Sequence, residues 1–262
     1  MGIQSVERAI SILELFKKDK QLGLAEITKS IGLSKSTLHT IIKTLEANNL
    51  LRQDKDTKKY QLGYSILELG IRQGNELDIN KNALGPLQKL SNDLKRLCSL
   101  GIWDNNSILV ITRTIPHFTY VHTFLSAHAQ PGPRIPAYCS SFGKVILAFM
   151  QEEAVEKCLN EVDLLPFTPN TITNKDKLIE DLAQIRKRGY SIDKREFTEI
   201  MAISAPIRGI SGKLEGAISI RLDLEDYDKE DLEEFAGPLH RTAYEISMNM
   251  GYQPIPMGMR AF

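Results

Sequence analysis

The sequence predicts an α+β protein in which a small N-terminal winged helix-turn-helix is joined by a connecting helix to a larger domain built on a largely antiparallel sheet flanked by helices. Three observations predict it. Apolar residues recur at helical spacing in three runs before Ala47, with Gly32 between the second and the third. Two extended segments, LLRQ and KKYQL, then flank the polar turn DKDT. Beyond Asp78, runs rich in β-branched residues alternate with helical patterns, and neighbouring runs are joined by tight turns.

Val6, Ala9, Ile10 and Leu13 are the stripe of a first helix from about Ser5 to Lys18, ended by KDKQLG. A short second helix covers about Leu24 to Ile31; Gly32 supplies the permissive backbone of the turn, and the Ser34 hydroxyl is placed to cap the third helix. That third helix buries Leu38, Ile41, Ile42 and Leu45. Its outward face carries Lys35, Ser36, His39, Thr40, Lys43 and Thr44, and its sole carboxylate, Glu46, lies toward its end. Helix, glycine turn, helix is the helix-turn-helix arrangement. The hairpin after it, with Arg52, Lys55, Lys58 and Lys59, reads as a wing. A recognition helix presents its first residues to base edges in the major groove, and a basic hairpin lies along phosphates. The expected DNA-facing set is Ser34, Lys35, Ser36, Thr37, His39, Thr40, Lys43, Arg52, Lys58 and Lys59. The alternative is a small helical domain with a merely solvated polar face. YSILELGIRQGN, from Tyr64 to Asn75, continues as a connector whose Tyr64, Leu67 and Ile71 share a face suited either to a second copy or to packing within one chain.

Composition agrees with this division. The 262 residues are 42% hydrophobic and 25% charged, enough for a sizeable core in two domains. Residues 1–62 carry 11 Lys+Arg against 7 Asp+Glu, whereas the remaining 200 carry 22 against 26, so the basic part is the N-terminal part. No apolar run is long enough to span a bilayer, and MGIQSVERAI lacks the order of a signal peptide, so a cytoplasmic protein without a membrane partner is expected. Cys98, Cys139 and Cys158 are odd in number and lack CxxC spacing, which argues against disulfides and a cysteine zinc site.

In the larger domain a helix near Ile79 to Leu97 precedes three strands, CSLGIW, SILVITRT and YVHTFL, with turns at DNN and IPHF. SSFGKVILAFM is a helix opened by serines, and another helix covers about Asp176 to Arg188. MAISAPIRG and LEGAISIRLD are strands joined by GISGK, and a last helix spans about Lys229 to Met250. The resulting boundaries are 1–63, 64–77, 78–251 and a tail, 252–262, that is poorly ordered or loosely docked.

Several segments in order resemble the IclR family of bacterial transcriptional regulators over nearly the whole chain: SVERAISILELF, SKSTLHTIIKTLEANNLL, YQLGYSILELG, SSFGKVILAFM, RKRGYSID and ISAPIRGISGKLEGAISI. The resemblance implies a GAF-like sensing domain, a double-stranded DNA operator, homodimers that often pair into homotetramers, and repression or activation of nearby catabolic genes under a small-molecule effector. It implies an effector pocket at Ser140, Ser141, Phe142, Asp193, Ala202, Ser219 and Arg221. Alanine stands at Ala202, where the family often has cysteine. A free helix N-terminus there offers N–H groups to an anion. Arg221 either supplies a planar fork for an acid or points to solvent or to Asp223 or Glu225. With a carboxylate at Asp193 able to accept from a hydroxyl, an anionic hydroxylated metabolite is the expected effector.

Other constellations imply no cofactor and no enzyme. His117, His122 and His128 match no standard metal spacing. Lys144 follows Gly143 without the rest of a phosphate loop. Cys139 at a helix start reads either as a stabilised thiolate, which would make the chain a thiol-dependent enzyme or redox sensor, or as a small packing residue.

Overall fold

A computed structural model describes residues 2–117, 134–223, 226 and 232–253. The expected strand YVHTFL, His122, His128, Glu225, the start of the last helix and residues 254–262 of the tail lie outside the described residues. The chain divides into two units, Met1–Glu76 and Leu77–Phe262, so the connecting helix groups with the N-terminal unit.

The first unit is α1 (Gln4–Leu15), α2 (Leu24–Ile31), α3 (Lys35–Ala47), β1 (Leu51–Gln53), β2 (Tyr60–Leu62) and α4 (Tyr64–Glu76). Gly32 ends α2 at φ 71°, a left-handed conformation that glycine adopts without strain. The Ser34 hydroxyl accepts from the Thr37 N–H at 3.3 Å and caps α3. β1 and β2 pair antiparallel, and Asp54 organises their turn by accepting from the Thr57 N–H at 2.8 Å and the Asp56 N–H at 3.1 Å. The core holds Ile12, Phe16, Ile27, Leu38, Ile42, Leu45, Leu51 and Tyr60.

The stripe expected for α1 is corrected. Ile12 and Phe16 are buried with Ala9 and Leu13 against them, whereas Val6 and Ile10 are 51% and 53% exposed. The helix carries apolar residues on most of its circumference, so periodicity alone cannot choose the inward side. It also stops at Leu15, because the N–H groups of Phe16, Lys17 and Lys18 reach back three residues rather than four.

The second unit contains α5 (Asp78–Leu94), β3 (Cys98–Asp104), β4 (Ser107–Thr114), β5 (Arg134–Pro136), a 3-10 turn Ala137–Cys139, α6 (Ser141–Phe149), α7 (Glu152–Glu161), α8 (Lys175–Arg188), β6 (Ser191–Lys194), β7 (Met201–Arg208), β8 (Leu214–Leu222) and α9 (Glu233–Asn249). The six strands form one antiparallel sheet in the order β5-β4-β3-β8-β7-β6. Alternation divides each strand between two cores. Ile203, Ile218, Ile220 and Leu222 pack with α5 and α9, and Ala217, Val110 and Ile108 pack with α6, α7 and α8. The sequence reading omits α7, β5 and β6, and it runs α5 past Leu94 to Leu97, although Lys95 is left-handed at φ 54° and ends the helix.

Candidate functional site

On the α6 side, register aligns two rows of side chains across the sheet. Arg113 of β4 lies opposite Ser99 of β3, Ser99 opposite Ser219 of β8, Ser219 opposite Ser204 of β7, and Ser204 opposite Ser191 of β6. The next row is Arg221, Ala202 and Asp193. The serines nearest β6 hold α6: the Ser204 hydroxyl donates to Ser141 Oγ at 2.8 Å, and the Ser191 hydroxyl donates to the Ser141 carbonyl. Gly143 permits the closeness of α6 to the preceding turn, since a Cβ there would lie 2.1 Å from the Ala137 carbonyl oxygen.

Between the rows and the start of α6 is a cavity of about 100 Å³, and all seven residues singled out from the sequence line it: Ser140, Ser141, Phe142, Asp193, Ala202, Ser219 and Arg221. Ser140 also caps α6, accepting from the Gly143 N–H at 3.1 Å and donating to the Pro136 carbonyl at 3.0 Å. Ser219 donates to the Ile203 carbonyl at 3.1 Å. Arg221 faces the cavity, while Asp223, one of its alternative partners, pairs with Arg96 at 3.3 Å. Sequence reasoning missed Arg113, Ser99, Phe197 and Thr198, which line the cavity together with Leu97, Ile135 and Ile200. Phe197 and Thr198 sit on the β6–β7 loop, which Thr168 fastens by donating to the Arg195 carbonyl at 2.6 Å.

Burial pushes the Asp193 carboxyl up to about 7, against the hydrogen bond that Oδ1 accepts from the Glu196 N–H at 2.8 Å. Burial likewise lowers the Arg113 guanidinium, and the Arg221 charge adds to that effect. Lys144 is 2% exposed, with its Nζ paired to Glu196 and 3.0 Å from Asp181 Oδ2. It therefore ties α6 to α8 and to the loop that closes the cavity. Burial, reinforced by Asp193 and Glu196, pushes the Cys139 thiol up to about 12. A thiol so held is neutral near pH 7, which favours the packing reading of Cys139 over the stabilised thiolate.

On the first unit, Lys35, Ser36, His39, Thr40 and Lys43 are exposed along one side of α3, opposite buried Leu38, Ile42 and Leu45. Thr37 is half-buried, with its hydroxyl 2.9 Å from that of Ser34. Lys43 donates to Glu46 at 2.8 Å, and the Thr40 hydroxyl donates back to the Ser36 carbonyl at 3.1 Å. In the wing, Lys58 and Lys59 are exposed, Lys59 lying 3.9 Å from Glu26. Arg52 stacks over the Tyr64 ring at 4.5 Å and donates to its hydroxyl at 3.0 Å. Among the described residues, no group of His, Cys, Asp and Glu is arranged to hold a metal ion, and no helix is long and apolar enough to cross a membrane.

Residues 5–55 match the IclR helix-turn-helix domain, and residues 73–248 match the domain described as bacterial transcriptional regulator IclR C-terminal. The HTH-type transcriptional regulator XynR of Escherichia coli K12 is 31% identical over 95% of this chain and 98% of its own. The HTH-type transcriptional regulator KdgR of the same organism is 29% identical, covering 97% of this chain and 95% of its own. Among solved structures, the Thermotoga maritima IclR superposes with a TM-score of 0.76 at 28% identity, covering 96% of this chain and 100% of its own.

Proposed function

The chain belongs to the IclR family of bacterial transcriptional regulators, and on that premise we propose that its binding to an operator is controlled by a small, anionic, hydroxylated metabolite in the cavity beneath α6. The observation that carries this reading is the convergence of Arg221, Asp193 and Ser219 with the start of α6 on one cavity. The guanidinium matches an acid group, and Asp193 accepts from a hydroxyl. Operator contact is assigned to the exposed side of α3, with Lys58 and Lys59 of the wing on phosphate. Arg52, stacked on Tyr64, orients the wing against α4 and adds charge there. The regulator acts as a symmetric oligomer, supported by the exposed Tyr64, Leu67 and Ile71 on α4, Val6 and Ile10 on α1, and Ile3 just before α1.

A fluorescent duplex from upstream of the chain's own gene tests the reading. Titrated at two salt concentrations, it should bind tightly and with steep salt dependence. Millimolar hydroxy acids should then shift that affinity, whereas neutral sugars of equal size should not. Operator binding indifferent to every acid tried would remove effector control from the reading and leave the family assignment intact.

A further inference from the structure

Two arginines, not one, face the cavity. Arg221 projects from β8 and Arg113 from β4, on either side of β3, and both are half-buried. Register puts Ser99 directly beside Arg113 and the Leu97 carbonyl against the Arg221 N–H, so the two side chains approach the same end of the cavity from opposite flanks of one strand. Burial first and then the Arg221 charge lower the Arg113 guanidinium from its ordinary value. Asp193 lies two strands away from Arg221 in the same row, a backbone separation of about 10 Å. The cavity is thus cationic at the β4–β8 end and carboxylic at β6, with Phe142, Phe197 and Ile200 among its apolar lining. Its volume of about 100 Å³ suits a small ligand, since on the order of 10–15 Å³ of such space already holds a water.

We propose that Arg113 and Arg221 form a double-guanidinium clamp that selects a small ligand carrying two negative charges close together, as a dicarboxylate or a phosphate monoester does. This deepens the effector reading and rests on it. Each guanidinium offers a planar fork to an acid group, so two acid groups held close together meet a fork on either flank of β3, whereas a single carboxylate engages one. Arg113 then determines specificity, while Arg221 with Asp193 suffices for a simple hydroxy acid.

Full-length protein, Arg113→Gln and Arg221→Gln should be melted in acetate, malonate and inorganic phosphate at equal ionic strength, and apparent dissociation constants taken from the concentration dependence. Wild type should bind malonate or phosphate at least about tenfold more tightly than acetate, and either substitution should reduce that ratio to near one. Malonate ahead of phosphate marks a dicarboxylate, phosphate ahead marks a phosphate ester, and both support the clamp. Arg113→Lys, which keeps the charge but not the fork, covers a failure of the glutamine variant to fold and should retain part of the preference. Equal behaviour of the three anions in wild type, or an undiminished ratio in Arg113→Gln, overturns the clamp. Effector control fails separately: operator binding that no acid shifts removes the regulation by an effector, whereas operator release that persists in a wild type without anion preference overturns the clamp alone.

Discussion

Asp193 carries a carboxyl whose protonation the fold moves far from its ordinary range. Its carboxyl is pushed by burial up to about 7, whereas an ordinary aspartate titrates near about 4. Between those values the folded chain holds a proton that the unfolded chain has released. The group's stabilising contribution is therefore complete below about pH 4 and is lost as the pH rises through about 7. Asp193→Asn keeps an acceptor for the Glu196 N–H and removes the titration. Its melting temperature should match wild type near about pH 4 and exceed it near about pH 8; parallel pH curves for the two proteins would assign the carboxyl an ordinary titration. Asp193 and Arg221 were legible because motifs mark them and their strands alternate without interruption through the cavity. Arg113 was not. Strict alternation along SILVITRT puts Arg113 on the face opposite Ile108 and Val110, but Val110 pairs with Gly101 and Thr112 with Leu100, leaving Ile111 as an extra residue. That β-bulge turns Arg113 to the α6 side, and a bulge leaves no mark on hydrophobic period.

Among the elements, α6 is held by charge as well as by packing. Lys144→Met leaves Glu196 buried and uncompensated, so it should cost about 3–5 kcal/mol. Adding Glu196→Gln removes the orphaned charge and should return a large part of that loss, as urea denaturation of the three proteins would measure; equal losses in the single and double variants would deny the pair this role. The recognition helix α3 makes a different prediction on the proposed reading. Lys35→Ala with Thr40→Ala should lower operator affinity and selectivity, while Lys58→Ala in the wing should weaken all sequences alike and reduce the salt slope by about 1. Anisotropy titrations against operator and scrambled duplexes separate the two patterns, and an unchanged double variant would move the interface elsewhere. α3 was readable because Leu38, Ile41, Ile42 and Leu45 form one stripe with a polar face opposite. α1 offered two stripes, and the choice between them was made by the rest of the unit's core. α7 buries only Val155, Cys158 and Leu159 within a largely charged segment, too weak a period to mark it as a helix.

For the molecule as a whole, regulation requires that a cavity in one unit bias a DNA-reading surface on the other. On the proposed oligomeric reading a dimer supplies the lever, because two recognition helices read half-sites about 34–36 Å apart and tolerate little change in that spacing. Leu67→Lys with Ile71→Lys alters exposed positions, so the fold should survive while sedimentation shows a monomer and operator affinity falls by about tenfold or more; an intact oligomer would place its interface on other surfaces. The ligand's part is bounded by thermodynamics. A metabolite that binds the DNA-competent and incompetent arrangements equally shifts nothing, and couplings between sites are typically about 1–3 kcal/mol, or 5- to 150-fold in affinity. By reciprocity, operator DNA must change the metabolite's affinity by the same factor. On the proposed reading Arg221→Ala removes a charge-assisted contact to the acid, at a residue that belongs to the second unit and not to the DNA-reading one. Operator affinity without ligand should stay within about twofold of wild type, and the acid concentration that shifts it should rise by about 10- to 100-fold, as loss of a charged hydrogen bond of roughly 1.5–3 kcal/mol requires. Ligand response at the wild-type concentration would leave Arg221 outside the recognition of the acid and favour a neutral or aromatic effector instead.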